Sequence, residues 1–372
     1  MFYQWTSVNT GVQVLDCDQS EYANMNRSSI NIGMFFSFSV DVLTAGHWSI
    51  LRNLEDQKLQ DLAKALPSTV LRSKATSTTT KYLGAFKRWK LWSAEHKLPV
   101  FPANATHVAL YLQHLGQAKG SKAAVEEAVN GIAWAHSMGG ISSPTADPFV
   151  QSVLEGLKRS LAKPTIKKAP FTADLMKNIA DDALRKGSLA SVRLAAMCLI
   201  GFAGFFRYSE LPNIRLSDIE FNPSHLKIRV TESKGDQLRQ GDEVVIARAG
   251  SPQCPVAMLE RYMEKAGISQ GSEGFLFRGI TSGKVQALIP TGKFSYTRFS
   301  ELLKQKLKDL GFPPVEFSPH SLRSGGATAA AGAGVPDRIF KRHGRWKSEN
   351  AKDGYVKDTL EKRLSVTKKL GL

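Results

Sequence analysis

The chain of 372 residues has few cysteines and no long apolar run. Its three cysteines, Cys17, Cys198 and Cys254, stand singly, outside any Cys-x-x-Cys pair or Cys/His cluster. The sequence therefore predicts neither a disulfide framework nor a zinc site, and it favours a reducing compartment. The longest apolar stretch, residues 194–206, is too short to span a bilayer, and the first residues lack the pattern of a signal peptide. A soluble intracellular protein is expected.

Carboxylate clusters, internal repeats and low-complexity tracts are also missing. The lack of a carboxylate cluster argues against a metal-dependent nuclease or transposase, and no metal ligands are predicted. With 42% hydrophobic residues the chain can bury a proper core, and its length favours two or three domains.

Negative charge is scarce: 33 acidic residues stand against 50 Lys and Arg, for a net charge of +17. The first 50 residues contain four acidic residues and one basic residue, so the positive charge belongs to the rest of the chain. A polyanion partner is predicted, because each phosphate contact releases counterions and so stabilises binding. A ribosome-like protein or a merely basic enzyme is the alternative at this point.

Composition divides the chain into four segments. Residues 1–54 mix Ser, Asn, Met and aromatics without a clear period and predict a poorly ordered arm, in which residues 34–43 are either a strand or an accidental apolar run. Residues 55–161 predict a helical domain. Residues 162–170, "AKPTIKKAP", predict a basic linker with two prolines, and residues 171–372 predict a second domain.

One helix of the first domain carries aromatic and basic residues on opposite faces. Its aromatic stripe recurs at helical spacing and predicts a core face, with a base-stacking platform as the alternative. The stripe consists of Tyr82, Phe86, Trp89 and Trp92. The basic face is either solvated surface or a phosphate contact. Together with the linker it provides the candidate DNA contacts Lys81, Lys87, Arg88, Lys90, Lys163, Lys167 and Lys168.

The second domain combines helices with short strands. Residues 225–233, "HLKIRVTES", and residues 243–247, "EVVIA", alternate in the manner of strands and are predicted to pair across a Gly/Asp/Gln turn. Residues 274–277, "GFLF", are the candidate third strand. The predicted fold class is mostly α with a small antiparallel β-sheet.

Several polar residues occupy places where apolar ones would be less costly. Arg207 follows a strongly apolar helix, and Glu210, three residues on, is near enough to hold it. In "PHSLR", His320 and Arg323 lie one helical turn apart, so both side chains point the same way. Taken singly, Arg207 is as easily a structural partner of Glu210, and His320 a helix cap.

Three further residues complete the pattern. Lys234 lies just past the first strand, in a place where a lysine is more often solvated than catalytic. Trp346 and Tyr355 lie nine residues apart in "HGRWKSENAKDGYVKD", and each taken alone is more easily a packing residue. Jointly, two arginines, a histidine and a lysine suit a phosphodiester passing through a pentacoordinate state, with the tyrosine as nucleophile.

In this order and spacing the residues resemble the tyrosine recombinases, the phage-integrase family, over about residues 70 to 370. The family motifs are an Arg in a "GxRxxEL"-like turn, a Lys in a β-hairpin, an H-x-x-R pair, a His or Trp, and a Tyr nine residues later. The resemblance implies that residues 55–161 are a helical core-binding (DNA-binding) domain and residues 171–372 a catalytic domain, with one covering each face of a DNA duplex. Here "GFFRYSEL", "PHSLR" and "GRW" carry the match.

The resemblance also implies a role for each matched residue. Arg207 and Arg323 would bind the phosphate, with Glu210 supporting the first arginine, and His320 would be a stabiliser and proton acceptor. Lys234 would be the general acid toward the leaving 5′ oxygen. Trp346 takes the His/Trp position and Tyr355 is the nucleophile, whereas His343 stands twelve residues before Tyr355 and has the wrong spacing.

The implied activity is site-specific DNA recombination or integration through a 3′-phosphotyrosine link, without a metal, ATP or another cofactor. The implied partners are double-stranded DNA and further copies of the chain, assembled into a tetramer on DNA; no membrane is involved. "GRWKS" resembles recombinases of eukaryotic mobile elements, which favours the nucleus, with cytoplasm or nucleoid otherwise. Two alternatives stay open: a catalytically silent, transposon-derived DNA-binding protein, and an enzyme similar to a type IB topoisomerase.

Overall fold

The structure, a computed structural model, describes residues 42–164, 166–231, 241–269, 272–281, 286–290 and 292–370. It divides into two compact units, residues 1–165 and residues 166–372, each with its own hydrophobic core. The boundary lies within residues 162–170, the segment predicted as a linker. None of the helices in the described ranges is both long enough and apolar enough to cross a membrane.

The described part of the first unit is helical. Its helices are α1 (His47–Arg52), α2 (Gln57–Leu71), α3 (Thr76–Glu95), α4 (Ala105–Lys119), α5 (Lys122–Met138) and α6 (Pro148–Ser160). Asp56, Asn104 and Asp147 cap α2, α4 and α6 by accepting a hydrogen bond from a backbone N–H of the first turn. Helix α3 packs on α5, and α4 packs on α6.

The aromatic stripe of α3 lies in the core of this unit, as predicted. Phe86 and Trp89 are buried, and Tyr82 and Trp92 are partly buried against the same cluster. Burial of Phe86 and Trp89 in the core leaves the basic face of α3 outward. The base-stacking alternative for the stripe is therefore not supported.

The prediction of a poorly ordered arm was wrong for residues 42–52. Val42, Leu43 and Trp48 are buried in the core of the first unit, and Trp48 Nε1 donates a hydrogen bond to the carbonyl oxygen of Met138 at 2.6 Å. Gly46 makes the approach possible, because it has a φ of 50° and a Cβ there would lie 2.0 Å from a backbone oxygen of α5's C-terminal turn. This packing depends on a close backbone approach at Gly46 rather than on a periodic pattern of apolar residues. Residues 1–41 lie outside the described residues.

The second unit surrounds a buried helix. Its helices are α7 (Ala173–Lys186), α8 (Leu189–Ala203), α9 (Pro255–Lys265), α10 (Tyr296–Asp309), α11 (Ser321–Gly332), α12 (Asp337–His343), α13 (Glu349–Asp353) and α14 (Leu360–Lys368). Helix α8 is mostly apolar and buried over most of its length, packed against α7, α9 and α11. The chain therefore leaves the C-terminal end of α8 in the interior of the unit.

A small antiparallel sheet completes the second unit. Its strands are β1 (Ile219–Phe221), β2 (His225–Val230) and β3 (Asp242–Ala247), in the order β1-β2-β3. Ile228 stands opposite Ile219 on one side and Val244 on the other, and alternate residues of β2 and β3 face the core. The predicted fold class, mostly α with a small antiparallel sheet, is confirmed.

The prediction of residues 274–277 as the third strand was wrong. The third strand is β1, and of the predicted segment only Phe275 forms an isolated bridge, with Arg215. Leu276 and Phe277 are buried in the core of the unit. The apolar run thus reflects tertiary burial, which a short stretch does not distinguish from strand pairing.

Candidate active site

Four segments of the second unit carry most of the residues that the sequence predicts as a site. They are the turn after α8, the start of α11, the loop after α12 and the residues after α13. In chain order they contain Arg207 and Glu210, His320 and Arg323, Trp346, and Tyr355. Hydrogen bonds and ring contacts between the segments bring these side chains together.

Phe205 turns the chain at the start of the first segment. Its φ of 47° lies in the left-handed region, which directs its ring into a small apolar cluster with Phe340 and Trp346. The next ring, Phe206, is buried in the main core of the unit. The two rings therefore anchor the turn between the core and the loop that carries Trp346.

Arg207 and Glu210 pair in this turn. Arg207 Nη1 donates to Glu210 Oε1 at 2.7 Å, and the Arg207 backbone N–H donates to Glu210 Oε2 at 2.9 Å. The carboxylate is 2% exposed and the arginine side chain 18%. Burial opposes ionisation of Glu210, but the charge of Arg345 and the hydrogen bonds and charge of Arg207 outweigh it and hold the Glu210 pKa below its usual range. Glu210 is thus a charged support for the guanidinium.

Arg323 is fully buried at the start of α11. Its guanidinium donates to two carbonyl oxygens, that of Phe205 from Nη1 and that of Gly344 from Nη2. Burial, followed by the charge of Arg207, lowers the Arg323 pKa to about 10, so the group stays charged at neutral pH. Within the described ranges no carboxylate forms an ion pair with Arg323, so its positive charge is not balanced locally.

Two rings lie beside this guanidinium, and a third contacts one of them. Its carbon lies 4.8 Å from the Trp346 ring centroid and 4.9 Å from that of Tyr355. The His320 and Tyr355 ring centroids are 5.0 Å apart, and those of Trp346 and Tyr355 are 5.5 Å apart. Trp346 is buried over Gly344, where any Cβ would collide with the indole. A half-buried phenol is thereby surrounded by a histidine, a tryptophan and an arginine.

The segment that carries Tyr355 is fixed at both ends. Before it, Lys352 forms ion pairs with Asp337 of α12 and with Glu349. At Tyr355 itself, the Thr328 hydroxyl of α11 lies 3.5 Å from the backbone carbonyl oxygen. Thr328 also accepts a hydrogen bond from the backbone N–H of Lys357 at 3.1 Å. The phenol is therefore held against α11 by main-chain contacts as well as by its ring.

The model of the phage integrase family matches residues 171–361, more than half of the chain. The chain belongs to the phage integrase family. The predicted resemblance to tyrosine recombinases, a family whose members cleave and rejoin DNA strands, is therefore confirmed. The narrower likeness to recombinases of eukaryotic mobile elements stays a prediction.

Relatives with this family's activities cover most of the chain. The integrase/recombinase XerD homolog of Selenomonas ruminantium is 28% identical over 83% of this chain and 90% of its own length. The recombinase Cre of Escherichia phage P1 is 22% identical over 74% of this chain and 82% of its own. Among solved structures, XerH site-specific recombinase bound to palindromic difH substrate, a post-cleavage complex, has a TM-score of 0.56 at 12% identity. It covers 92% of this chain and 96% of the other.

The predicted general acid of this phage integrase family member, Lys234, lies outside the described residues. It belongs to residues 232–240, between the end of β2 at Val230 and the start of β3 at Asp242. Its role therefore stays a prediction.

The candidate DNA contacts of the first unit lie on α3. Lys81, Lys87 and Arg88 are exposed and Lys90 is half-buried. Arg88 Nη2 donates to Glu127 Oε1 at 2.6 Å, in a pair whose side chains are 44% and 34% exposed. Arg88 therefore has a partner within the chain, and its role in DNA contact stays a prediction together with those of the three lysines.

The candidate contacts in the linker are Lys163, Lys167 and Lys168, all exposed. Lys168 Nζ donates to the carbonyl oxygen of Val315 at 2.5 Å, so this lysine is tied to the second unit. DNA contact by the three lysines stays a prediction.

Arg345 is a buried residue of the site that the sequence analysis missed. Its Nη2 donates to Glu210 Oε2 at 2.8 Å, so Glu210 is shared between Arg207 and Arg345. The neighbouring His343 packs on Phe205 at 4.6 Å between ring centroids, and its Nε2 lies 2.8 Å from the carbonyl oxygen of Ala203. Burial lowers the His343 pKa, as suits a neutral packing residue. No group of three or more His, Cys, Asp or Glu suited to a metal ion is found in the described segments.

Proposed function

We propose that this chain is a site-specific DNA recombinase or integrase that breaks and rejoins double-stranded DNA through a 3′-phosphotyrosine link at Tyr355. The observation that carries the proposal is the unbalanced positive charge beside the phenol. Arg207, Arg323 and Arg345 act on one another through their charges; among the described residues Glu210 forms ion pairs with Arg207 and Arg345, whereas no carboxylate pairs with Arg323. Such an excess of buried charge is costly unless an anion binds there.

Unpaired hydrogen-bond donors support an oxyanion as that anion. Arg323 Nε and Trp346 Nε1 are buried and have no hydrogen-bond partner among the residues that the structure describes. The two side chains also stack on each other beside Tyr355. The nonbridging oxygens of a phosphodiester would supply both the acceptors and the negative charge. Positive charge that is already fixed in place stabilises the phosphoryl transition state strongly, because no groups have to reorient during the reaction.

The proposed first step exchanges one phosphoester bond for another. Tyr355 Oη attacks the phosphorus, the bond from phosphorus to the 5′ oxygen breaks, and a 3′-phosphotyrosine and a free 5′ hydroxyl result. His320, whose ring adjoins that of Tyr355, is the candidate acceptor of the phenol proton. Lys234, on the family resemblance alone, is the candidate donor to the 5′ oxygen.

Rejoining reverses this chemistry with a 5′ hydroxyl from a second duplex. Because the energy of the phosphoester is kept in the tyrosine link, the scheme needs neither ATP nor a metal. Two duplexes require several active sites at once, so we expect assembly into a tetramer on DNA. The nucleus is the expected compartment if the chain is eukaryotic, and the cytoplasm or nucleoid otherwise.

A covalent trapping experiment tests the proposal. Short duplexes with nicks opposite random positions are incubated with wild type and with Tyr355→Phe, and protein-linked DNA is resolved on a denaturing gel. We expect an adduct with wild type only, equal DNA affinity for both proteins, and no effect of a chelator. Equal binding without any adduct would favour a catalytically silent DNA-binding protein. Relaxation of plasmid DNA without site preference or a second duplex would favour a topoisomerase.

A further inference from the structure

Arg345 occupies a backbone conformation that favours glycine. Its φ is 55°, in the left-handed region where a side chain is strained. The residue lies between Gly344 and Trp346 in the loop after α12. Glycine would relieve the strain, so the presence of a large side chain here points to a role for its guanidinium.

The Arg345 guanidinium is buried and bonded on several sides. Its side chain is 2% exposed. Nη2 donates to Glu210 Oε2 at 2.8 Å and to the Phe205 carbonyl oxygen at 3.3 Å, and Nη1 lies 3.2 Å from the Gly204 carbonyl oxygen. These acceptors all belong to the turn that carries Arg207. Arg345 therefore joins the loop of Trp346 to that turn.

The two oxygens of Glu210 are divided between the two arginines. Oε1 accepts from Arg207 Nη1, whereas Oε2 accepts from Arg345 Nη2 and from the backbone of Arg207. Arg345 thus fixes the rotation of the carboxylate, and with it the oxygen that orients the Arg207 guanidinium. Among the influences that favour the charged form of Glu210, the charge of Arg345 is the largest.

The same arginine also touches the surroundings of Arg323. The Phe205 carbonyl oxygen accepts from both Arg323 Nη1 and Arg345 Nη2. The Gly344 carbonyl oxygen, adjacent to Arg345 in the chain, accepts from Arg323 Nη2 at 2.5 Å. If the loop that carries Arg345 were displaced, the Gly344 carbonyl oxygen would move relative to Arg323, and the Glu210 carboxylate would move relative to Arg207. These two arginines are the candidates for phosphate binding.

We propose that Arg345 is a positioning residue for strand cleavage: it locks Glu210, and through it Arg207 and the Trp346 loop, in the geometry that receives the scissile phosphate. This inference rests on the proposed function of Tyr355 as nucleophile. Arg345 itself need not touch DNA.

The test compares Arg345→Gly and Arg345→Lys with Arg338→Met, an exposed arginine of α12 that serves as the charge control. Single-turnover adduct formation is measured on a nicked duplex at saturating protein, beside DNA affinity and thermal unfolding. Arg345→Gly should slow cleavage by about 100-fold, the scale expected for a small misplacement of catalytic groups. Its DNA affinity should change by less than about threefold, because exposed phosphate contacts are untouched. Arg345→Lys, which keeps the charge, should recover part of the rate.

The pH dependence distinguishes positioning from mere packing. The charged and titratable groups around Glu210 and Arg345 are Arg207, Arg323, His343, Asp242 and Tyr355. Loss of the Arg345 charge should raise the Glu210 pKa. Cleavage that needs the carboxylate should then be lost at a higher pH as the solution is acidified, which moves the acidic limb of the rate profile upward. In the Glu210→Gln background, where this carboxylate is already neutral, Arg345→Gly should cost little more.

Other outcomes would contradict either the role of Arg345 or the proposed function. Cleavage by Arg345→Gly at the wild-type rate overturns the inference, and so does a slower rate with an unmoved pH profile and a matching loss of thermal stability. If wild type itself forms no adduct, the proposed function fails rather than the role of Arg345. If wild type forms the adduct and Arg345→Gly has only a small effect, the role of Arg345 fails while the proposed function stands.

Discussion

The two units of this chain hold their positive charge in different ways. On α3 of the first unit the basic residues are exposed or half-buried, and Arg88 pairs with Glu127 where the two side chains are 44% and 34% exposed. In the second unit Arg323 is fully buried and Arg345 is 2% exposed. Exposed cations bind a polyanion through counterion release, whereas buried guanidinium groups have a fixed geometry that acts on one phosphate. The exposed cations of the first unit should therefore determine DNA affinity, and the buried arginines of the second unit should determine the rate of cleavage.

The largest expected effect is that of Arg323→Ala on cleavage. The substitution removes the unbalanced charge beside Tyr355, so the rate of adduct formation should fall by about 100- to 1,000-fold, as for loss of one donor to a transition state. Affinity for the same duplex should change by only a few-fold. Nearly equal losses of rate and affinity would contradict the distinction between exposed and buried cations. Arg323→Lys is the matched control, because it keeps the positive charge but lacks the paired donors of the guanidinium.

The next effect concerns stability. Glu210→Gln leaves Arg207 and Arg345 without their buried counter-charge and should lower the free energy of unfolding by about 3 to 5 kcal/mol. Glu127→Gln removes the partner of Arg88 at the surface and should cost about 0 to 1 kcal/mol. Urea unfolding of both variants measures the difference. Similar values for the two would mean that burial does not separate the two kinds of ion pair.

The smallest effect is expected from the surface of α3. Replacement of Lys81, Lys87 and Lys90 by Gln should weaken DNA binding. The slope of log affinity against log salt concentration should become shallower by about 0.9 for each lysine that contacts a phosphate. Cleavage at saturating protein should keep the wild-type rate. An unchanged salt slope would mean that these lysines face solvent rather than phosphates. A slower cleavage step would mean that they take part in the reaction.

Much of the second unit's site could be predicted from sequence. Arg207, His320, Arg323, Trp346 and Tyr355 stand at spacings that few structural patterns share, and the structure brings them into one network. These spacings work because local helical and turn geometry fixes which neighbours face each other.

Features that depend on tertiary contacts could not be predicted in this way. Arg345 carries no signal in sequence, because its importance lies in a left-handed φ and in a carboxylate that is 135 positions away. Residues 42–52 gave no periodic pattern, since Gly46 folds them back onto the core. Residues 274–277 are apolar because they are buried, which short runs do not distinguish from pairing.

The central claim is that Tyr355 carries the DNA strand. The most direct measurement is peptide mapping of the wild-type adduct trapped on a nicked duplex, with mass spectrometry to locate the nucleotide. We expect a single modified peptide, in which Tyr355 bears a 3′-linked phosphonucleotide. A nucleotide on any other side chain, or a cleaved strand with no protein attached, would contradict it.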